Sequence, residues 1–417
     1  MQLRVLAMIM AGGKGTRLHP LTRDRAKPAV PFGGKFRIVD FALSNFLNSG
    51  IYSVYVLTQF MSQSLTEHLQ KAWNFSSLLD EHFITAVPAQ MRTGETWYRG
   101  TADAIHQNLN LIRESRPHLV CIFGGDHVYR MDVSQMLHFH EHNEADCTVA
   151  AIPVPVEQAS SFGVIEIDED RRIVGFQEKP KVDPKTIPGD PTRVLASMGN
   201  YVFSCRSLIA ELEADAANER SSHDFGKDVI PAMIKDRRVY CYDFATNRVP
   251  GVVGPNLYWR DVGTIESYYE ANMDLREIVP AFNLYNRLWP IRTARYDDPP
   301  AKFVHDAENR TGRAVNSLVC EGSILSGSTV RNSIIGRNVK IHSFAEVTDS
   351  IVFDNVEIGR NAKVHRTIID KNVKIPDHSK IGFDAAADAA SFYVSSGGIV
   401  VIPKQPRYDA DLAEVDI

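Results

Sequence analysis

Cysteine is sparse and unpaired in this sequence. Its five residues, Cys121, Cys147, Cys205, Cys241 and Cys320, stand apart with no CxxC spacing. An odd, scattered set argues against a disulfide framework or a thiolate zinc site and suits a reducing compartment. Long hydrophobic runs are also missing: nothing approaches the roughly 20 apolar residues of a membrane span. The apolar stretch 5–10 is too short for a signal-peptide core and leads into a Gly-rich loop rather than a cleavage site. There is no basic excess. The formal net charge is −5, which argues against coating nucleic acid or an anionic membrane. The expectation is a cytoplasmic protein with no nucleic-acid or membrane partner.

What is present is enough for more than one core. The 417 residues exceed an ordinary single domain. Up to about residue 275, short apolar runs (6–10, 53–57, 119–123, 147–152) alternate with helical spacing (41–47, 101–114, 133–142). Such alternation predicts an α/β domain with a Rossmann-like, mostly parallel sheet, whose ligands bind beyond the carboxyl ends of the strands. Residues 276–312 carry prolines and little periodicity and read as a linker. In 313–417 the texture changes. Aliphatic residues recur every sixth position: Ile335, Ile341, Val347; Ile358, Val364; Ile369, Ile375, Ile381. That period fits neither a helix nor an alternating strand, but it fits a parallel β-helix. The slips between series imply corners of unequal length.

Three motifs carry candidate chemistry. In Gly12-Gly13-Lys14-Gly15-Thr16-Arg17-Leu18, glycines allow close backbone approach to phosphate, and Lys14, Arg17 and the later Lys27 supply charge. A Walker A loop would need Ser or Thr after Gly-Lys, and a dinucleotide fingerprint would need Gly or Ala where Leu18 stands. Gly124-Gly125-Asp126 ends an apolar strand, and Asp261 lies between Trp259 and Gly263. Each carboxylate could cap a helix or hold Mg²⁺, which favours one or two carboxylates plus substrate phosphates. Glu178-Lys179 by itself reads as a solvated pair, with sugar-phosphate binding as the alternative. Trp97-Tyr98-Arg99-Gly100-Thr101-Ala102-Asp103 offers aromatics and a cation to a base or sugar. His223 and Asp224 read as loop or helix-cap groups.

The Gly-rich loop, Lys27-Pro28, Gly125-Asp126 and Glu178-Lys179-Pro180, in that order, resemble the sugar nucleotidyltransferase superfamily. Phe32-Gly33-Gly34-Lys35-Phe36-Arg37, the Trp97–Asp103 and Ser222–Asp228 motifs and Tyr258-Trp259-Arg260-Asp261 narrow the resemblance to bacterial ADP-glucose pyrophosphorylases. It implies a nucleotidyltransferase domain over 1–275 and a left-handed β-helix over 313–417 for regulation and oligomerisation. It implies that glucose 1-phosphate attacks the α-phosphorus of ATP, giving ADP-glucose for glycogen synthesis in a regulated homotetramer. The resemblance makes Asp126, with Arg17 and Lys27, catalytic, and Asp126 and Asp261 the Mg²⁺ carboxylates. It puts Tyr98, Gly163, Glu178, Lys179 and Ser197 at the sugar phosphate, and Gly12, Gly13, Gly15, Thr16, Gln90, Gly100 and Thr101 at the nucleotide. Arg25, Lys35 and Arg37 would bind anionic effectors, with an AMP, ADP or phosphate type inhibitor. Asp24 stands where enteric members carry a Lys serving a sugar-bisphosphate activator, so a fructose 6-phosphate or pyruvate type activator is expected. A UTP- or dTTP-using relative, an acyltransferase using His342 and His365, and a non-catalytic regulatory subunit are the rival readings.

Overall fold

The computed structural model describes residues 3–74, 82–92, 94–255, 257–306 and 310–405. Two compact units divide the chain, and neither is continuous in sequence. The first comprises Met1–Gly13, Val39–Trp259 and Tyr285–Arg292; the second comprises Lys14–Ile38, Arg260–Leu284 and Thr293–Ile417.

The first unit is built on a nine-stranded sheet. Its strands in chain order are β1 (Val5–Ala11), β2 (Ser53–Thr58), β3 (Phe83–Pro88), β4 (Leu119–Gly124), β5 (Cys147–Pro155), β6 (Gly163–Ile167), β7 (Ile173–Glu178), β8 (Arg193–Ser204) and β9 (Val239–Asp243). The spatial order is β7-β6-β8-β4-β1-β2-β3, with β5 also paired to β8 and β9 to β5. Seven strands run one way; β7 and β8 run against them. All six residues of β4 are buried, as expected of a parallel strand covered on both faces. Its core joins Leu6, Met8, Val120 and Ile122 to Ile105, Ile112 and Leu208 from flanking helices.

The strands read from apolar runs appear within a few residues of their expected ends. The helix expected over 101–114 is two, Thr101–His106 and Leu109–Ser115. Asn108 breaks it: its φ of −114° leaves the helical region, and its amide donates to the Ala104 carbonyl (2.8 Å) and the Tyr98 hydroxyl (2.9 Å). The helix Val133–His142 starts on an Asp132 cap that accepts from Ser134 N.

The second unit contains a parallel β-helix. Three ladders of short parallel strands run through it, for example Ile324–Ser326, Lys340–Ile341, Glu357–Ile358 and Lys374–Ile375. Lys340 pairs with Glu357 and Glu357 with Lys374, so these coils take 17 residues rather than 18. One corner is therefore a residue shorter than the other two, which explains the slips in the six-residue period. Ile341, Ile358 and Ile375 stack inside, as do Val347, Val364 and Ile381. At one corner a hydroxyl ladder replaces apolar stacking. Ser333 Oγ accepts from Ser350 N (3.1 Å) and donates to Arg331 O (2.7 Å); Ser350 Oγ accepts from Thr367 N (3.1 Å) and donates to Thr348 O (2.7 Å). The ladders begin at Lys302–Val304, which already pairs with Ile324–Ser326 inside the stretch that composition alone suggested as linker. Nearby, Arg337 covers the Tyr296 ring at 3.2 Å and donates to Asp298 (2.6 Å).

Residues 14–38 belong to this second unit. They form two 3₁₀ turns, Thr16–Leu18 and Lys27–Ala29, and a small hairpin, Pro31–Phe32 with Phe36–Arg37. Gly33 and Gly34 turn it with φ of 58° and 89°. The helix Ile265–Asp274 opens on a reciprocal Thr264/Ser267 cap. It meets the hairpin through Asn272 Oδ1, which accepts from Gly33 N at 2.9 Å, and through the Tyr268 hydroxyl, which donates to Pro31 O.

Candidate active site

The centre of the sheet brings two motifs side by side. β1 and β4 are parallel neighbours, with Met10 opposite Gly124. The Gly12-Gly13 loop leaves the end of one and Gly125-Asp126 the end of the other. Gly125 N donates to Met10 O (3.1 Å), and a Cβ on Gly125 would lie 2.8 Å from Ile9 Cγ2. Glycine there lets the second loop lie against the first strand. The Asp126 side chain keeps 37% of its surface exposed. His127 Nε2 lies 3.7 Å from it, and the His127 ring packs on Trp259, which packs in turn on Phe162 (4.9 and 5.2 Å).

Phe162 leads to the second group. Gly163 on β6 stands opposite Glu178 on β7. A Cβ on Gly163 would meet Phe176 Cζ at 2.5 Å and Glu178 Oε2 at 3.1 Å. Lys179 turns out of β7 with φ 48°, donates its N–H to Phe162 O (3.0 Å), and places Nζ 3.0 Å from Glu178 Oε1. The two differ in exposure, 59% for Lys179 and 20% for Glu178. Glu178 faces inward between Gly163 and Gly226, while the ammonium points to solvent. Ser197 is buried where the pairing of β8 with β5 shifts register, and its Oγ accepts from Gly199 N (3.3 Å). It also bonds the Tyr201 hydroxyl, whose pKa is driven up by burial and then by the Asp224 charge.

Of the residues expected at the nucleotide, Gly12, Gly13, Gln90, Gly100 and Thr101 lie in this first unit, and Gly15 and Thr16 in the second. Gln59 Oε1 accepts from Tyr98 N (2.9 Å), and Gln59 Cβ would lie 3.2 Å from a Cβ on Gly12. Gln59 was not among the sequence candidates, although it follows the carboxyl end of β2, where the sheet rule places ligands. Burial raises the Tyr98 hydroxyl pKa, against a bond from Asn108. Thr101 Oγ1 donates to Asp224 Oδ2 (3.1 Å) and accepts from Phe225 N (3.0 Å). Asp224 Oδ1 caps the next turn by accepting from Gly226 N and Lys227 N, as its sequence suggested. Gln90 is exposed and accepts from Arg92.

In the second unit, Asp261 gathers the cations. Lys27 Nζ donates to Asp261 Oδ1 (2.8 Å), and Arg17 Nη2 lies 3.6 Å from Oδ2. Lys27 is buried, whereas the Arg17 side chain is 66% exposed. Gly15, at φ 61°, leads into the Thr16 turn; a Cβ there would stand 3.0 Å from Lys27 Cβ. Gly263 likewise leaves room for Arg17, whose Nη2 would be 3.0 Å from a Cβ. The effector candidates are engaged elsewhere in this unit. Arg25 forms a buried pair with Asp370 (2.9 Å), and Lys35 pairs with Glu321 (2.9 Å). Burial and then the Arg37 charge bring the Lys371 ammonium down to about 7; Lys371 sits 2.9 Å from Asp354. Composition gave no signal for Lys371, because it lies in a repeat that reads as structural.

A Gly-rich loop and a carboxylate at adjacent parallel strand ends agree with a nucleotidyl transferase. The Nucleotidyl transferase family model matches residues 6–278, and a GlmU-like, C-terminal hexapeptide model matches 299–402. A glucose-1-phosphate adenylyltransferase of Thermus thermophilus is 56% identical over 413 residues, covering 98% of this chain and 100% of the relative. Those of Anaeromyxobacter dehalogenans (57% over 410 residues; 98% and 99%) and Deinococcus radiodurans (51% over 410; 97% and 99%) carry the same name. The chain belongs to the glucose-1-phosphate adenylyltransferase family of nucleotidyl transferases.

Proposed function

We propose that this enzyme joins ATP to glucose 1-phosphate, releasing pyrophosphate and forming ADP-glucose for glycogen synthesis. The observation that carries the reading is the meeting of the Gly12-Gly13 loop and Asp126 at neighbouring strand ends. The attacking phosphate is already a nucleophile, so no covalent enzyme intermediate is required. The chain's task is alignment and charge stabilisation, and holding two reactants in line can supply about 7–11 kcal/mol.

Nucleotidyl transferases generally use a divalent metal. A partly exposed carboxylate beside a Gly-rich loop suits Mg²⁺, and Asp126 and Asp261 are its proposed ligands. The ion would neutralise charge on the α-phosphate and the leaving pyrophosphate. Arg17, Lys27 and the amides of Gly12, Gly13, Gly15 and Thr16 bind the triphosphate. The Asp261 carboxylate pairs with both cations. Gln90, Gly100 and Thr101 serve the nucleotide; Tyr98, Gly163, Glu178 and Ser197 serve the sugar; Lys179 binds the sugar phosphate with its exposed ammonium.

The enzyme acts in the cytoplasm as a homotetramer, tuned by anionic metabolites of the fructose 6-phosphate or pyruvate type and inhibited by the AMP, ADP or phosphate type. Arg25, Lys35 and Arg37 contribute to effector binding.

Pyrophosphate release from glucose 1-phosphate with ATP, UTP, dTTP or GTP, with and without Mg²⁺, tests the reaction. Preference for UTP, or no turnover with any of them, would overturn it. Lys179→Gln should raise KM for glucose 1-phosphate on the order of tenfold or more, with little change for ATP. Equal changes would remove Lys179 from the sugar phosphate.

A further inference from the structure

His223 occupies a conformation its side chain does not favour. Its φ of 55° is left-handed, where a residue with a Cβ stays only if its surroundings hold it. The holder is Asp215. His223 Nδ1–H donates to Asp215 Oδ2 (2.8 Å), Ser221 Oγ donates to Asp215 Oδ1 (2.6 Å), and His223 N donates to Ser221 Oγ (2.9 Å). Both side chains are nine-tenths or more buried. Asp215 lies in the last turn of the helix Cys205–Ala216, where the helix dipole disfavours an acid. Helix formation does not account for it, whereas its two accepted bonds do.

The backbone that this pair fixes has two outputs. The His223 carbonyl accepts from Ala102 N (2.8 Å) at the start of the helix Thr101–His106. A Cβ on Gly100 would collide with the carbonyl oxygens of Ser222 and His223, so glycine is needed there for this approach. On the other side, the adjoining Asp224 receives Thr101 Oγ1 and caps Gly226, and Gly226 packs against Glu178 Oε2. The Gly100–Thr101 loop and the Asp224–Gly226 loop are thus joined at the His223 carbonyl and, beside it, at the Thr101 hydroxyl, and the strained residue sets where both bonds form.

We infer that Asp215 and His223 are positioning residues: Asp215 holds His223 in the left-handed conformation, and His223 locks the Gly100–Thr101 loop to the Asp224–Gly226 loop, so that the two substrates are bound in one fixed relation. Neither side chain touches substrate. The kinetic part of this inference rests on the proposed reaction; the mechanical part does not.

Asp215→Ala, His223→Ala and the double variant test both parts in the full-length enzyme. Amide hydrogen exchange across 100–104 and 224–228 should quicken in each single variant, and the double variant should add little. Kinetically, KM should rise on the order of tenfold for both substrates together, with kcat falling less. That signature differs from Lys179→Gln, which should affect one substrate. His223→Asn, which tolerates the left-handed region and keeps a donor for Asp215, should recover much of the loss. Unchanged exchange in those two segments overturns the inference whatever the activity. Quickened exchange with unchanged KM values, in an enzyme whose wild type makes ADP-glucose, overturns the positioning role. If an alanine variant does not fold, Asp215→Asn, which removes the charge that accepts from His223 and Ser221, carries the same exchange and KM comparison.

Discussion

The central sheet and the β-helix use regular structure in opposite ways. In the sheet, the middle strand β4 is buried throughout, and the chemistry proposed for it falls on the residues that follow its last position, Gly125 and Asp126. Every strand has different neighbours, and the polar groups that matter sit where regularity stops. In the β-helix each coil has the same neighbours above and below. Ile341, Ile358 and Ile375 repeat one environment, and the Ser333, Ser350 and Thr367 hydroxyls repeat another. A strand-end residue of the sheet can thus be replaced at little cost to folding and great cost to chemistry. An inward residue of a coil should show the reverse.

The largest expected effect is on the sheet side. Asp126→Asn should keep the melting temperature and lose on the order of 10²–10³ in turnover, as removal of one transition-state electrostatic partner does. Pyrophosphate release and a thermal melt measure both. Near-normal turnover would take Asp126 out of the mechanism, and an unfolded variant would break the contrast. In the β-helix, Ile358→Ala empties a fully buried position and should cost about 2–5 kcal/mol in urea unfolding. A loss under about 1 kcal/mol would mean that the stack relaxes around the cavity.

A buried histidine sharpens the contrast through pH. Burial holds the His140 imidazole down at about 4, with Thr148 Oγ1 2.8 Å away and Ser204 Oγ 3.2 Å away. Its folded pKa lies below the unfolded value of about 6.5, so the unfolded chain takes up the proton first. The stability it contributes is full above 6.5 and is lost as pH falls from 6.5 towards 4, about 3 kcal/mol in all. Urea midpoints at pH 7 and 4.5 should differ less in His140→Asn than in the wild type. An identical pH dependence in that variant would reject His140 as the source. The smallest effect belongs to the hydroxyl ladder. Ser350→Ala leaves Thr367 N without its acceptor and should cost about 1–3 kcal/mol; no measurable change would show that the rung is dispensable.

The two regions also differ in how much of them could be read from residues alone. Strands β1, β2, β4 and β5 announce themselves as unbroken apolar runs because both faces are covered. β6, β7 and β8 do not: Gly163 opens β6, Gly175 and Gly199 interrupt β7 and β8, and the pairing of β7 with β6 and of β8 with β5 shifts register. Glu178-Lys179 shows the same gap at the site. As a dipeptide it reads as a solvated pair, yet the carboxylate is turned inward between two glycines from separate segments and is far less exposed than the lysine, 20% against 59%. Gln59 and Asp215 carried no local pattern at all. Their partners lie 39 and 8 residues away, beyond any motif.

The amino-acid sequence by itself determined the covalent order of the phosphate loop, the carboxylates and the hexapeptide coils. Each of these rests on short-range rules: backbone freedom at glycine, burial of apolar runs, and a repeat that stacks on itself. Only the tertiary structure decided that residues 14–38 belong with the β-helix unit rather than with the sheet they follow, that Lys27 and Arg17 share Asp261, and that His223 is held out of its preferred conformation. Those outcomes depend on groups far apart in the chain being brought within hydrogen-bonding distance, which requires the whole fold to form first.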